Sequence, residues 1–244
     1  MKIEIHNITY ITMLISFLSG YFQYIYILLL IIFIHEFGHF FISNLINIKA
    51  NKIIIYPFGG LTIYDSDLNL NTNKELVSLL GGITFQLLFY FLVVIIHNNN
   101  LMTHNVFNII KRINIILISF NFLPILPLDG GRLLNILLDK IFPYKLSNKL
   151  TLIVSILFLG LFIMYKRTIL SILLFVFLLK EIILEINNID NKYMTFLFER
   201  YKNNYSFKKI KRINNLNKFK RDYYHIINGI TERKYLSKLF DRNN

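Results

Sequence analysis

The chain has 244 residues, of which 55% are hydrophobic and only 17% are charged, and its mean hydropathy is +0.50. This composition excludes an ordinary soluble domain, and several nearly uncharged runs approach the length that crosses a bilayer. The sequence contains no cysteine, which excludes disulfides, thiolate metal ligands and a cysteine nucleophile. It therefore predicts a polytopic membrane protein in which any metal ion is held by histidine and carboxylate, a ligand set that suits zinc.

The net charge of +13 is concentrated near the C-terminal end. Residues 191–244 contain 14 Lys and Arg but only 4 Asp and Glu. A basic segment after a membrane domain is typical of a cytoplasmic tail that faces anionic lipid. No recognition motif accompanies the charge, so nucleic-acid binding is not expected. We predict a membrane-embedded domain over residues 1–188 and a basic cytoplasmic tail over residues 189–244.

Six apolar segments are candidates for transmembrane helices. The first shows no clear basic start and no clear small-residue cleavage site of a signal peptide, which favours a span. Six spans put both ends of the chain on one side of the membrane, and the basic tail makes that side cytoplasmic, although Lys111-Arg112 and Lys166-Arg167 oppose this orientation. The segments cover residues 7–19, 26–46, 75–97, 109–126, 150–165 and 168–186.

Between the second and third segments, β-branched residues flank Pro57-Phe58-Gly59-Gly60. This pattern is typical of two short strands around a glycine turn, and it predicts a β-hairpin over residues 53–63. The third segment carries Gly81-Gly82, which permits close approach of another helix. The predicted fold class is an all-α polytopic membrane protein with about six transmembrane helices, a small β-hairpin after the second helix and a short basic tail.

The second segment contains His35-Glu36-Phe37-Gly38-His39, which is the HExxH pattern. On a helix, positions i and i+4 share a face, so His35 and His39 can bind one metal ion. Glu36 then lies beside the ion without binding it, where a general base acting on a water belongs. Titratable side chains are costly inside a span and therefore mark a functional site. The alternative is a helix whose polar side chains only hydrogen-bond to neighbouring helices.

A catalytic zinc ion usually takes three protein ligands and a water. Asp129 is the strongest candidate for the third ligand, because it ends a predicted span and stands among prolines and glycines. Such residues let the backbone turn inside the protein or along a cavity. His6, His97 and His104 lie at span ends or in loops and are weaker candidates, and we expect His225 in the basic tail to be solvated.

Two motifs together resemble the site-2 protease family of intramembrane zinc metalloproteases. They are HEFGH on one span and Asn121-Phe-Leu-Pro124-Ile-Leu-Pro127-Leu-Asp129-Gly130 on a later one. The PFGG hairpin, the six-span plan and the segment Phe196-Leu-Phe-Glu199-Arg200-Tyr201 are similar to the sporulation branch of that family, found in endospore-forming bacteria. The resemblance covers roughly residues 1–201. The third span departs from it, since relatives usually carry Gly-Pro where this chain reads Gly81-Gly82.

The resemblance implies one zinc ion bound by His35, His39 and Asp129. It implies that Glu36 is the catalytic base, and that Asn121 has a substrate-binding or transition-state role. The hairpin edge and the proline loop are implied to hold the substrate as an extended strand, along Phe58, Gly59, Gly60, Pro124 and Pro127.

The sporulation branch is implied to cleave a membrane-associated pro-sigma factor in the bacterial cell membrane or the forespore outer membrane, where other membrane proteins can inhibit it. Its nucleotide-responsive CBS domain is not implied here, because about 40 residues after Tyr201 are too few for that fold and form at most a remnant of it. One alternative is a general site-2-type protease that cleaves an anti-sigma factor or a signal-peptide remnant. The other is a non-catalytic membrane scaffold.

Overall fold

The computed structural model describes residues 2–57, 59–64, 68–165, 168–203, 205–207 and 209–241. These residues are mostly helical and also form two small sheets. The helices are α1 (Asn7–Leu18), α2 (Phe22–Leu45), α3 (Thr72–Asn98), α4 (His104–Asn121), α5 (Asp129–Ile141), α6 (Tyr144–Tyr165), α7 (Ile169–Lys202) and α8 (Glu232–Phe240). The strands are β1 (Lys2–Ile5), β2 (Ala50–Tyr56), β3 (Gly59–Tyr64), β4 (Lys209–Ile213), β5 (Tyr223–Ile227) and β6 (Ile230–Thr231).

The chain forms two compact units. Unit 1 contains Met1–Ser66 and Leu76–Asn121, and unit 2 contains Asp67–Glu75 and Phe122–Asn244. Helix α3 therefore begins in unit 2 and continues into unit 1.

Among the described residues, three helices are long and apolar enough to cross a membrane. They are Phe22–Leu45, Thr72–Asn98 and Tyr144–Met164, while Asn7–Leu18 is a shorter apolar helix. The predicted membrane protein is confirmed at this level, and the count of six spans stays a prediction. Lys166-Arg167, which bears on the orientation, lies outside the described residues.

The sheet of unit 1 has the order β1-β2-β3. Strands β2 and β3 pair antiparallel, with Ile54 opposite Leu61, and follow α2 directly. Strand β1 adds in parallel on the far side of β2, with Ile3 opposite Ile53. The sequence did not predict β1, because four residues without a bounding turn are too short to show a strand period. Strand β3 is left at the edge of this sheet.

Helices α2 and α3 touch through their backbones at a pair of glycines. A Cβ atom on Gly38 would lie 2.4 Å from the carbonyl oxygen of Gly81, and a Cβ on Gly81 would lie 2.7 Å from that of Gly38. Only glycine permits this approach, because any side chain would force the helices apart. The close helix approach predicted from Gly81-Gly82 is confirmed, and it brings polar groups of α3 against the histidines of α2.

In unit 2, helix α6 holds α5 and the loop before it by hydroxyl groups one helical turn apart. The Thr151 hydroxyl donates to Asn135 Oδ1 on α5 at 3.2 Å, and the Ser155 hydroxyl accepts from the Leu126 backbone N–H at 3.0 Å. Both side chains on α6 are fully buried. These bonds fix the loop that precedes Asp129, and Asp129 is the first residue of α5.

Residues 209–241 form a small folded module, which we call the C-terminal module. Its sheet has the order β4-β5-β6, with β4 parallel to β5, and α8 follows β6. The predicted fold class did not include this second sheet, because the charge of the segment hid its few apolar positions. Its core joins the end of α7 to the start of α6 through Tyr144, Tyr193, Phe196, Leu197, Ile213, Phe219, Ile227 and Leu236.

Arg200 at the end of α7 is the polar centre of this module. Its buried guanidinium donates to Asn69 Oδ1 at 2.6 Å, and to the carbonyl oxygens of Lys220 and Tyr223 at 2.9 Å each. It also forms a buried ion pair of 2.9 Å with Glu232. A planar guanidinium can satisfy acceptors in several directions at once, which an ammonium group cannot do.

The expectation that His225 is solvated is wrong, since its side chain is 0% exposed. Its Nε2 atom accepts from the Lys220 backbone N–H at 3.1 Å, which makes Nδ1 the N–H that donates to Glu232 Oε2 at 3.0 Å. Burial lowers the pKa of His225, and this outweighs the opposing hydrogen bond to Glu232. His225 is therefore a neutral structural residue of the module.

Arg200→Lys should loosen the C-terminal module, because the ammonium leaves several buried acceptors without a donor. Each lost hydrogen bond to a charged group costs about 1.5–3 kcal/mol. We expect faster amide hydrogen exchange in residues 223–227 of the detergent-solubilised chain. The matched control is Arg233→Lys, at an exposed position of α8, and it should leave amide exchange unchanged. Equal exchange in the two variants would contradict the role given to Arg200.

Candidate metal centre

Helix α2 places His35, Glu36 and His39 together inside unit 1, and all three side chains are buried. The two Nε2 atoms of the histidines lie 3.1 Å apart. The imidazole planes are nearly perpendicular, at 83°. The i, i+4 spacing therefore places both imidazole rings on one face of α2, as predicted, and their Nε2 atoms point toward one place.

The protonation of His39 follows from its partner on α3. Its Nδ1 atom lies 3.1 Å from the backbone carbonyl oxygen of Ser78. A carbonyl oxygen only accepts, so Nδ1 carries the proton and Nε2 carries the lone pair.

The protonation of His35 follows from a buried glutamine. Its Nδ1 atom lies 2.9 Å from Gln86 Oε1. The amide orientation of Gln86 is set by its Nε2 group, which donates to the Asn114 carbonyl oxygen at 3.4 Å. Gln86 Oε1 is then the acceptor for His35, whose Nε2 atom also carries a lone pair.

The two imidazoles thus direct lone pairs at each other. Lone pairs 3.1 Å apart repel, and a cation between them converts the repulsion into two coordination bonds. Two nitrogen ligands of one tetrahedral zinc ion lie about 3.3 Å apart, given Zn–N distances of about 2.0–2.1 Å. The outer N–H groups bound to a carbonyl and an amide are the usual supports of metal-binding histidines. The pair fits zinc.

Gly82 leaves room for the ring of His39. A Cβ atom on Gly82 would lie 2.4 Å from His39 Nε2 and 2.7 Å from Cε1. A methyl group there would occupy the space beside the coordinating nitrogen. In the Gly81-Gly82 pair, the second glycine therefore leaves space for the His39 ring, and the first permits the close contact between the helices.

Glu36 is held by the hairpin. Its Oε2 atom accepts a hydrogen bond of 2.8 Å from the Thr62 hydroxyl on β3. Gly60 on the same strand lies so close that a Cβ atom would come within 2.2 Å of Glu36 Cγ. Strand β3 thus packs on the predicted base and fixes its carboxylate.

Asn121 is the last residue of α4, and its Nδ2 atom lies 3.5 Å from His35 Nε2. The structure thus brings this predicted residue to the histidines. Gly59 begins β3, where a Cβ atom would meet nothing within 4 Å, so the strand is open at this position. Phe58 lies outside the described residues.

In unit 2, Asp129 opens helix α5, and a tight loop precedes it. A Cβ atom on Gly130 would lie 2.4 Å from the carbonyl oxygens of Phe122 and Leu123. The glycines after Asp129 therefore let the loop fold back against the start of the helix. Pro124 and Pro127 lie in this loop, and the peptide bond before Pro127 is cis.

Sequence reasoning missed Ser78, Gln86 and Thr62, the three residues that hold the predicted site residues of unit 1. Gln86 carried a usable signal, because an amide inside an apolar span is costly and marks a functional position. Ser78 acts through its backbone carbonyl, and Thr62 is a common strand residue, so neither gave a signal.

The fold and site define a class of protein: a membrane protein with an HExxH metal centre on a spanning helix. The sequence model of peptidase family M50 matches residues 23–101 and 93–165 of this chain, which together are more than half of it. The chain belongs to peptidase family M50, the site-2 protease family, and is a membrane zinc metalloprotease. This confirms the predicted family, enzyme class and metal.

Particular relatives agree with this assignment. The chain is 28% identical to stage IV sporulation protein FB of Bacillus subtilis over 206 residues, which are 82% of this chain and 72% of the relative. It is 29% identical to a zinc metalloprotease of Methanocaldococcus jannaschii over 161 residues, covering 61% of this chain and 46% of the relative. The solved structure of the site-2 protease from M. jannaschii superposes with a TM-score of 0.58 at 25% identity, covering 75% of this chain and 89% of that one.

Gly82→Ala should weaken zinc binding, because the new methyl group displaces the His39 ring. We expect an affinity loss of about 10–100-fold, as for other disturbed supports of metal ligands. The measurement is zinc content of the purified chain at equilibrium against a competing chelator. Gly160→Ala on α6, where a Cβ atom meets nothing within 4 Å, is the matched control. Wild-type affinity in Gly82→Ala would contradict the packing described for His39.

Proposed function

We propose that this metalloprotease is an intramembrane endopeptidase whose zinc ion is held by His35, His39 and Asp129, with Glu36 as the base. The observation that carries the proposal is the convergence of two Nε2 lone pairs beside an anchored glutamate. Asp129 is the third ligand that the sequence resemblance implies, and with it the donors would be a His-His-Asp set. Such a set leaves a fourth position for water or substrate, as catalytic zinc requires.

When bound, zinc supplies Lewis acidity toward a water and the scissile carbonyl group. Glu36 takes a proton from the attacking water and later gives it to the leaving amine. The Thr62 hydroxyl holds one carboxylate oxygen of Glu36, which orients the other for proton transfer. The Asn121 amide is positioned as a donor toward the developing oxyanion, which is the role we propose for it.

The substrate is proposed to add as an extended strand at the edge of β3. A membrane helix satisfies its own carbonyl groups, so a segment that unwinds for cleavage needs replacement hydrogen bonds, and strand addition supplies them. The edge position of β3 and the open space at Gly59 support this path. The residues proposed along it are Phe58, Gly59, Gly60, Pro124 and Pro127.

The proposed substrate is a membrane-associated pro-sigma factor processed during sporulation, under control of inhibitory membrane proteins. Its support is the similarity to stage IV sporulation protein FB over 82% of this chain. We further propose a multi-pass bacterial membrane protein with six spans within residues 1–188. Residues 189–244 would then lie on the cytoplasmic side, in line with their basic charge.

Asp129→Ala should lower zinc affinity by at least about 100-fold, since loss of a direct ligand exceeds the loss of a supporting residue. The measurement is again zinc retention against a chelator. Asp190→Ala, which removes an exposed carboxylate that pairs with Lys145, is the matched control. Unchanged retention in Asp129→Ala would remove this residue from the ligand set.

Glu36→Gln should retain zinc and abolish cleavage, because the amide cannot accept the proton. The measurement is co-expression with a tagged candidate pro-sigma factor, read as a size shift on a gel. Glu181→Gln on α7 is the control and should cleave as the wild type does. Cleavage by Glu36→Gln would refute the assignment of the base. Cleavage of an anti-sigma factor but not of the pro-sigma factor would refute the proposed substrate and leave the base assignment intact.

A further inference from the structure

The C-terminal module is attached at the first residue of a membrane-spanning helix. The backbone N–H of Tyr144, where the candidate span Tyr144–Met164 begins, donates to the carbonyl oxygen of Phe219 at 2.9 Å. Next to it, the Lys220 ammonium donates to the Lys140 carbonyl oxygen at 3.1 Å. Phe219 and Lys220 are therefore fixed to the end of the span, which is the level of the lipid headgroups.

Four cations, Lys209, Lys211, Arg212 and Lys218, form what we call the basic face of the module. Within the part of the chain that the structure describes, no carboxylate lies within ion-pair distance of any of them. Their charge affects a neighbouring ammonium group. Burial lowers the pKa of Lys220, and the charges of Lys211 and Lys209 lower it further. The basic face therefore carries positive charge that the described residues do not neutralise.

Three cations of the basic face, Lys211, Arg212 and Lys218, line a cavity of about 340 Å³. These cations lie on β4 and on the short 3-10 helix Leu216–Lys218, and Pro143, the residue immediately before the span, also lines the cavity. The lining residues are Pro143, Lys211, Arg212, Ile213, Asn214 and Lys218. A concave, cationic site beside a span end suits a phosphate group that approaches from the membrane surface.

We propose that this cavity binds the phosphate-bearing headgroup of an acidic phospholipid and so docks the C-terminal module on the bilayer. Lys211, Arg212 and Lys218 provide the charge, and their ammonium and guanidinium groups donate to the phosphate oxygens. Ile210 on the same strand is 66% exposed and adds an apolar contact with the lipid. The proposal is independent of the protease assignment, because it uses no residue of the metal centre.

The test uses the full chain in uncharged detergent micelles, with short-chain phosphatidylglycerol as the probe and amide hydrogen exchange of residues 209–218 as the readout. Phosphatidylcholine of the same chain length is the neutral comparison. One triple variant replaces Lys211, Arg212 and Lys218 with Gln. The charge-matched control replaces the same number of exposed cations on α8 with Gln, at Arg233, Lys234 and Lys238.

Phosphatidylglycerol should slow exchange in residues 209–218 of the wild type and of the α8 control, and phosphatidylcholine should not. The first triple variant should need about fivefold more probe for each charge removed. Exchange in residues 223–227 checks that each variant is folded. Equal loss in both variants, or no difference between the two lipids, would overturn the proposal. Equal protection by inorganic phosphate or ATP would replace the lipid with a soluble phosphate ligand.

Discussion

The metal centre depends on where two protons sit. Both histidines of α2 must carry the proton on Nδ1, so that both Nε2 lone pairs converge on one point, and α3 supplies the acceptors that enforce this. One acceptor is the Ser78 carbonyl and the other is Gln86, whose orientation depends in turn on Asn114 of α4. An HExxH pattern alone leaves the tautomers open. The packing of α3 against α2 decides them, and with them the ability to bind a cation.

That packing, and the contact of β3 with Glu36, exist because side chains are missing at four glycines. Gly38 and Gly81 bring the helix backbones together, Gly82 clears the His39 ring, and Gly60 lets β3 reach Glu36. In a bilayer, helices gain little from apolar burial against one another, so close van der Waals contact and interhelical hydrogen bonds stabilise their association. Here the same contacts that join the helices also orient the site. The same small residues therefore permit both the close packing and the orientation of the site residues.

In unit 2, a strongly basic segment is folded around a buried ion pair. Arg200 and Glu232 form a buried pair, and the surrounding carbonyl groups and Asn69 satisfy the remaining donors of the guanidinium. Burial of charge is tolerated only when it is paired and hydrogen-bonded in this way. The cations of β4 have no carboxylate partner among the described residues, and the backbone bond from Tyr144 to Phe219 joins the module to the start of α6.

The sequence by itself determined the features that local periodicity encodes. The i, i+4 spacing put His35 and His39 on one face, and the apolar runs around them indicated a membrane protein. Only the tertiary structure decided what depends on distant residues: the roles of Gln86 and Thr62, the added strand β1, and the burial of His225. The physical reason is that a hydrogen-bond partner 51 or 26 residues away leaves no pattern within a helical or strand repeat. His225 was mispredicted because a basic composition describes the surface of a module and not its few buried positions.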